Sequence, residues 1–210
     1  IDGRTGENTI GLHLGANLAL TAAETVAALE QFRDASVMTA QLEVRDEVVE
    51  AAFSAAAERG VTRLLNPAPA RELPRSILEM SDIVTPNQNE LFQLLHREVP
   101  AKPTHLEIEE AAAELACRGP STVIVTLGGR GAYLLDAEQG ELWLEPLEVE
   151  PVDTVGAGDA FNAGLAWGLA TGRDVATAAK IGTICGALAT RRMGVVDALP
   201  TFSDMEGYLK

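Results

Sequence analysis

Asp153-Thr154-Val155-Gly156-Ala157-Gly158-Asp159-Ala160-Phe161 is the stretch on which the fold turns. Its two glycines let backbone come close to a ligand, and the apolar run from Ala160 to Leu169 reads as a helix. A loop entering a helix leaves N–H groups without intrahelical partners and sets the positive end of the helix dipole there, so an anion can bind. Asp159 stands at that point. A carboxylate beside such donors can take a proton from a hydroxyl while the donors hold the charge on a transferred phosphoryl group. The plainer reading of the same residues is a helix start at Asp159 and a turn at Gly156 and Gly158.

Two other phosphate loops can be tested by inspection. A Walker-type loop needs Lys followed by Ser or Thr after its last glycine, whereas Asp159-Ala160 follows Gly158. A dinucleotide fingerprint needs a third glycine where Phe161 stands and an unbroken apolar strand before the loop, and Pro151 and Asp153 interrupt that strand. Neither fits.

The stretch resembles the C-terminal signature of the ribokinase-like family of carbohydrate and nucleoside kinases, and four further segments of that family precede it in order. They are Gln41-Leu42-Glu43, Asn66-Pro67-Ala68-Pro69-Ala70, Thr85-Pro86-Asn87-Gln88-Asn89-Glu90 and Thr126-Leu127-Gly128-Gly129-Arg130-Gly131. The resemblance runs over almost all of the chain and corresponds to about the last two-thirds of a family member. It implies ATP-dependent phosphorylation of a sugar, D-ribose at its 5-hydroxyl first, the alternatives being a kinase for another sugar or nucleoside, or a non-catalytic nucleotide-binding remnant or assembly module of that fold. Asp159 is then the base, with the N–H groups of Gly156, Ala157 and Gly158 as anion hole. It implies nucleotide contacts at Asn87, Thr126, Gly128, Gly129, Gly131 and Thr183, Mg²⁺ at Glu90, and sugar contacts at Glu43 and Asp159. A monovalent cation, K⁺, falls to Asp153 and to backbone at Val155, Ala189, Arg192 and Gly194. Two positions depart from the family pattern: Thr183 stands where relatives often have Asn or His, and Ala198 where they often have Ser.

Composition sets outer bounds. With 210 residues, 47% of them hydrophobic, the chain suffices for one globular domain over 1–210. A formal charge of −15 argues against nucleic acid as a partner, and ATP chemistry on so acidic a chain needs local donors and a metal. Cys117 and Cys185 lie in Ala-rich helical patterns and read as buried free thiols, and His13, His96 and His105 lack ligand spacing. No leader pattern opens the chain and no apolar run approaches the ~18 residues of a membrane span, so a cytoplasmic protein is expected. The small-molecule partners expected are a sugar and ATP, beside a homo-oligomer or a missing N-terminal segment.

Along the chain, Thr9–Leu14 reads as a strand, and Thr21-x-x-Glu24 as a capping box opening a helix through Val26, Leu29 and Phe32. Val37–Leu42 is a strand with Glu43 at its carboxyl end, where ligands of open α/β sheets bind. A helix over Arg45–Arg59 closes at Gly60, and Thr62–Leu65 and Ser81–Thr85 are strands. A helix over Asn89–Leu95 follows, with Asn87 and Glu90 also readable as ordinary caps. Ile108–Cys117 is a helix, Thr122–Leu127 and Ala132–Leu135 are strands about a glycine turn, and Glu141–Leu144 adds another. Helices over Asp159–Thr171, Val175–Thr190 and Phe202–Leu209 close the chain. The alternation predicts an α/β fold, a mostly parallel sheet with helices on both faces, lacking the N-terminal strands and lid of the ribokinase-like pattern.

Overall fold

The computed structural model describes residues 13–208. Four parallel strands, β1 (Val37–Ala40), β2 (Thr62–Leu65), β3 (Ile83–Val84) and β4 (Thr122–Thr126), lead into an antiparallel pair, β5 (Ala132–Asp136) and β6 (Gly140–Leu144). Strand order across the sheet equals chain order. Among the described residues the helices are α1 (Ala22–Leu29), α2 (Asp46–Ala57), α3 (Arg75–Met80), α4 (Gln88–Leu94), α5 (His105–Ala116), α6 (Ala157–Ala170), α7 (Val175–Ala189) and α8 (Phe202–Met205). The expected α/β class, with a mostly parallel sheet, is what the chain forms.

Side chains alternate between the two sheet faces, and each face is buried by its own helices. Leu65, Val84, Val123 and Val125 pack with Phe53, Ile77, Leu91 and Ile108 from α2 to α5. Leu64, Ile83, Ile124 and Leu134 face the other way, onto Phe161, Leu165, Ala178 and Ala179 of α6 and α7. Adjacent residues Leu64 and Leu65 thus serve different cores. Between β2 and β3 the Arg63 guanidinium grips Asp82, whose Oδ2 accepts from the Arg63 backbone N–H at 2.7 Å and from Nε at 2.8 Å. That charge-assisted pair raises the Arg63 pKa further and pins the register of a strand pair that is only two residues long on the β3 side.

Local chemistry explains most boundaries. The Thr21/Glu24 capping box forms, and a second one at Thr104/Glu107 starts α5 at His105, ahead of the Ile108 start expected from the apolar pattern. At the end of α2, Gly60 takes φ +66° and the N–H groups of Val61 and Gly60 return to the carbonyls of Ala56 and Ala57, a Schellman ending. The strand expected over Ser81–Thr85 pairs only at Ile83–Val84. Ser81 is spent on α3, a helix the pattern did not disclose, where its hydroxyl donates to the Ile77 carbonyl at 2.7 Å. The last helix stops at Met205 and continues as a 3₁₀ turn to Tyr208. Residues 9–12 of the strand expected over Thr9–Leu14 lie outside the described residues, as does Leu209; His13 and Leu14 lead into a 3₁₀ turn, Gly15–Leu18. Cys185 is buried as expected, but Cys117 is exposed, because it falls at the C-cap of α5 on the solvent side.

The β4–β5 turn shows where glycine is indispensable. Gly131 has φ +81°, and a Cβ there would lie 1.9 Å from the Leu144 carbonyl oxygen. Gly140 has nearly the same φ, +80°, with nothing within 4 Å of its Cβ position. Gly131→Ala should therefore lose ~3 kcal/mol or more in urea unfolding and Gly140→Ala only ~1 kcal/mol, since the latter carries backbone strain alone. Equal losses in the two variants would show that the close approach at Gly131 is not what matters.

Candidate functional site

Parallel strands place their carboxyl ends on one edge of a sheet, and ligands of open α/β sheets bind outside that edge. Here the edge carries Gln41-Leu42-Glu43 after β1, Asn66-Pro67 after β2, Thr85-Pro86-Asn87 after β3 and Leu127-Gly128 after β4. The N-terminus of α6 meets the same edge through two side-chain bonds. Gln41 Nε2 donates to Asp159 Oδ1 at 3.0 Å, and Thr85 Oγ1 donates to Asn162 Oδ1 at 2.7 Å.

The turn into α6 starts two residues earlier than the expected Asp159. Gly156, with φ +81°, is the N-cap, and Asp159 occupies the first helical turn, where the dipole favours a carboxylate. Of the three N–H groups expected as an anion hole, that of Ala157 already donates to the Thr154 carbonyl at 3.3 Å. Those of Gly156 and Gly158, and that of Asp159 itself, have no partner among the described residues. Gly158 and Asp159 are both exposed. The arrangement is an open set of backbone donors with a carboxylate at its side, the requirement for receiving an anion and a proton together.

The remaining predicted residues fall into three groups. Glu43, half-buried, accepts from Asn17 Nδ2 at 3.4 Å, two residues beyond the Gln41 that touches Asp159. Asn87 and Glu90 form a reciprocal capping box on α4: Glu90 N–H donates to Asn87 Oδ1 at 2.9 Å and Asn87 N–H to Glu90 Oε2 at 2.7 Å. Burial pushes the Glu90 carboxyl up while the Asn87 N–H pulls it down. Thr126 is bridged to Asn87 in parallel, which brings the β4 loop beside the α4 loop. In that loop Gly128, Gly129 and Arg130 make a 3₁₀ turn closed by Gly131, and Arg130 is tied to the Pro103 carbonyl at 3.0 Å and to Gln88 Oε1 at 2.6 Å. Thr183 bends its hydroxyl back to the Ala179 carbonyl at 3.0 Å, within α7.

The third group surrounds Asp153. Its Oδ1 accepts from Val155 N–H at 3.0 Å and its Oδ2 from Gly194 N–H at 3.1 Å, so one carboxylate folds the loop after α7 onto the entrance of α6. Val195 follows at once, and a Cβ on Gly156 would stand 2.7 Å from its side chain. Ala189 ends α7, and Arg192 is exposed in the turn beyond it. Among the described residues no group of three His, Cys, Asp or Glu is arranged to hold a metal, and no helix is long and apolar enough to cross a membrane. Two cavities, about 90 Å³ beside Arg191 and Asp204 and about 180 Å³ between Phe32 and Met38, lie away from Asp159.

Gln41 and Thr85 stand in the quoted segments without a role of their own, and Asn162 lies outside them. A period-two signal was available for Gln41, which lies two residues before Glu43 past a strand end, and a helical one for Asn162, one turn after Gly158 and Asp159.

Comparison with known proteins adds the following. The family model described as pfkB family carbohydrate kinase matches residues 1–202. The ribokinase of Bacillus subtilis is 32% identical over 204 residues, 97% of this chain and 65% of the relative. The deoxyribokinase of Salmonella typhi is 34% identical over 203 residues, 96% of this chain and 65% of the relative. The structure of Arabidopsis thaliana ribokinase complexed with ribose and ATP superposes with a TM-score of 0.88 at 26% identity, over 97% of this chain and 65% of that one. The chain thus spans a little under two thirds of the length of these relatives.

The Asp153 bonds make a pH prediction. Both backbone N–H groups favour the charged carboxylate, and its pKa is lowered in the fold. A carboxyl depressed on folding stabilises above its unfolded value, about 4, and the contribution is lost as pH falls through the depressed folded value. The melting temperature of Asp153→Asn should therefore lie below wild type at pH 7 and converge on it toward pH 3. A constant gap across that range would show that the charge of Asp153 plays no part.

Proposed function

The chain belongs to the pfkB family of carbohydrate kinases, and from that premise we propose that it transfers the γ-phosphoryl group of ATP to the 5-hydroxyl of a pentose, D-ribose first. One observation carries the reading: Asp159 stands in the first turn of α6 beside the N–H groups of Gly156, Gly158 and Asp159, which have no partner among the described residues. Phosphoryl transfer asks little covalent chemistry of a protein, so positioning and charge are what the residues supply.

In this mechanism Gln41 holds Asp159 Oδ1, which leaves Oδ2 to take the proton of the sugar hydroxyl. The sugar oxygen bonds to the γ-phosphorus as the bond to the bridging oxygen of ADP breaks. Charge on the phosphoryl oxygens is met by the free N–H groups and the positive end of α6. Ala157 contributes backbone geometry, its own N–H being engaged by Thr154. Glu43 takes sugar hydroxyls. The amide of Asn87 has both Nδ2 hydrogens free of the cap and reaches the nucleotide with Thr126, Gly128, Gly129, Gly131 and Thr183.

Glu90 fits Mg²⁺ because the cap occupies Oε2 and leaves Oε1, and an ion that keeps its waters and binds phosphate needs only one or two carboxylates. Neutralisation of phosphate charge is what that ion supplies when bound. Asp153, kept ionised by the N–H groups of Val155 and Gly194, would hold a monovalent cation together with backbone of Val155, Ala189, Arg192 and Gly194. The names of the relatives favour a pentose and differ on its 2-hydroxyl. The formal charge of −15 disfavours a nucleic-acid partner.

The deciding experiment assays phosphate transfer from ATP·Mg²⁺ to ribose and to 2-deoxyribose. Asp159→Asn should lower kcat by ~10²–10⁴-fold with circular dichroism unchanged, the range a general base contributes. Undiminished transfer in that variant, or no transfer to either pentose by a wild-type chain that binds ATP, would overturn the proposal.

A further inference from the structure

Thr85 is the first residue beyond β3 and is 2% exposed. A hydroxyl so deeply placed needs a partner. Its proton goes to Asn162 Oδ1 at 2.7 Å, the Leu65 carbonyl at 3.4 Å being the longer alternative. Asn162 in turn donates from Nδ2 to the carbonyl of Gly158 at 2.9 Å. The sense of this relay is dictated by chemistry: with the amide reversed, Asn162 Oδ1 would face the Gly158 carbonyl oxygen, acceptor against acceptor.

The carbonyl of Gly158 and the N–H of Asp159 belong to the same planar peptide unit. Fixing the oxygen therefore fixes the direction of the N–H, which is one of the unpartnered donors beside the Asp159 carboxylate. A bond to the oxygen also polarises the N–H opposite it. At its other end the relay is rooted in a residue joined through Pro86 to Asn87, the cap of α4. An Asn bonding back one turn within a helix is commonplace by itself. The Thr85 hydroxyl makes it a tertiary link spanning 77 residues of sequence.

We propose that Thr85 and Asn162 are positioning residues that aim the Asp159 N–H, and with it the anion hole, from the strand end that carries the nucleotide loop. This rests on the kinase reading above, and two independent readouts separate the two. Thr85→Val keeps the volume and removes the donor, Thr85→Ser keeps the donor, and Asn162→Leu removes the relay. The Asp159 backbone amide resonance, followed by ¹⁵N NMR, should move in Thr85→Val and Asn162→Leu and return close to wild type in Thr85→Ser. In turnover, Thr85→Val should lose ~10- to 100-fold in kcat with KM for ATP changed less than about threefold, and the double variant should fall no further than the worse single one. An Asp159 amide unmoved in Thr85→Val, or a kcat unchanged there, would overturn the clamp. A wild-type chain that transfers no phosphate while its Asp159 amide responds as described would sink the kinase reading and leave the clamp standing.

Discussion

The close approach of α6 and α7 is the constraint on which the site depends. At three glycines a Cβ would force a shift, and at a fourth, Gly186, it would be tight. A Cβ on Gly164 would stand 2.6 Å from Cys185 Sγ, one on Gly168 2.8 Å from Ala178, one on Gly182 2.8 Å from the Phe161 carbonyl and one on Gly186 3.1 Å from that of Ala157. The last two contacts fall on the first turns of α6, so α7 backs the turn that presents Asp159. Protein interiors transmit strain because they are packed like crystals, and a bulkier residue at Gly182 or Gly186 would press on the first turns of α6, where Asp159 stands. The thiol held in this seam, Cys185, is pushed up to about 11 by burial and is suited to packing rather than to chemistry.

A chain as acidic as this one can receive an anion only where its positive potential is local. Here that potential comes from oriented backbone: the unpartnered N–H groups of the α6 turn and the end of the helix behind them. The two nearest carboxylates in sequence are used differently. Asp153 spends both oxygens on N–H groups of its own loop and the loop after α7, whereas Asp159 is held at one oxygen by a neutral amide. Two carboxylates six residues apart thus differ in how many of their oxygens the fold occupies.

Much of this was legible in the sequence, and the parts that were not share a cause. Thr21 and Glu24, the glycine closing α2, and the β-branched run of β4 are signals carried by neighbours in the chain, and each produced the element expected. Ser81 and Thr85 carried the same polar-flanked strand signal, yet one caps α3 and the other turns to α6, because their partners lie on other elements. The contact of Gln41 with Asp159 was invisible for that reason too. Asn87 and Glu90 read from their spacing as caps, and as ligand residues only through the resemblance; the cap forms, with both members engaged. Cys117 was misjudged because an Ala-rich helix suggests burial all round, whereas its last residue projects beyond the core.

The strand order has a consequence for how the molecule assembles. Because strands neighbour each other in the order they are written, each pairing closes a modest loop and the sheet can be added to strand by strand. The bond between Gln41 and Asp159 spans 118 residues, from the first strand end to a helix that follows the last strand. Closing that span costs about 1 kcal/mol more in chain entropy than pairing β1 with β2. Among the side-chain hydrogen bonds of the described residues, the one of longest range is therefore the one that joins Gln41 to Asp159, and it closes over every strand of the sheet.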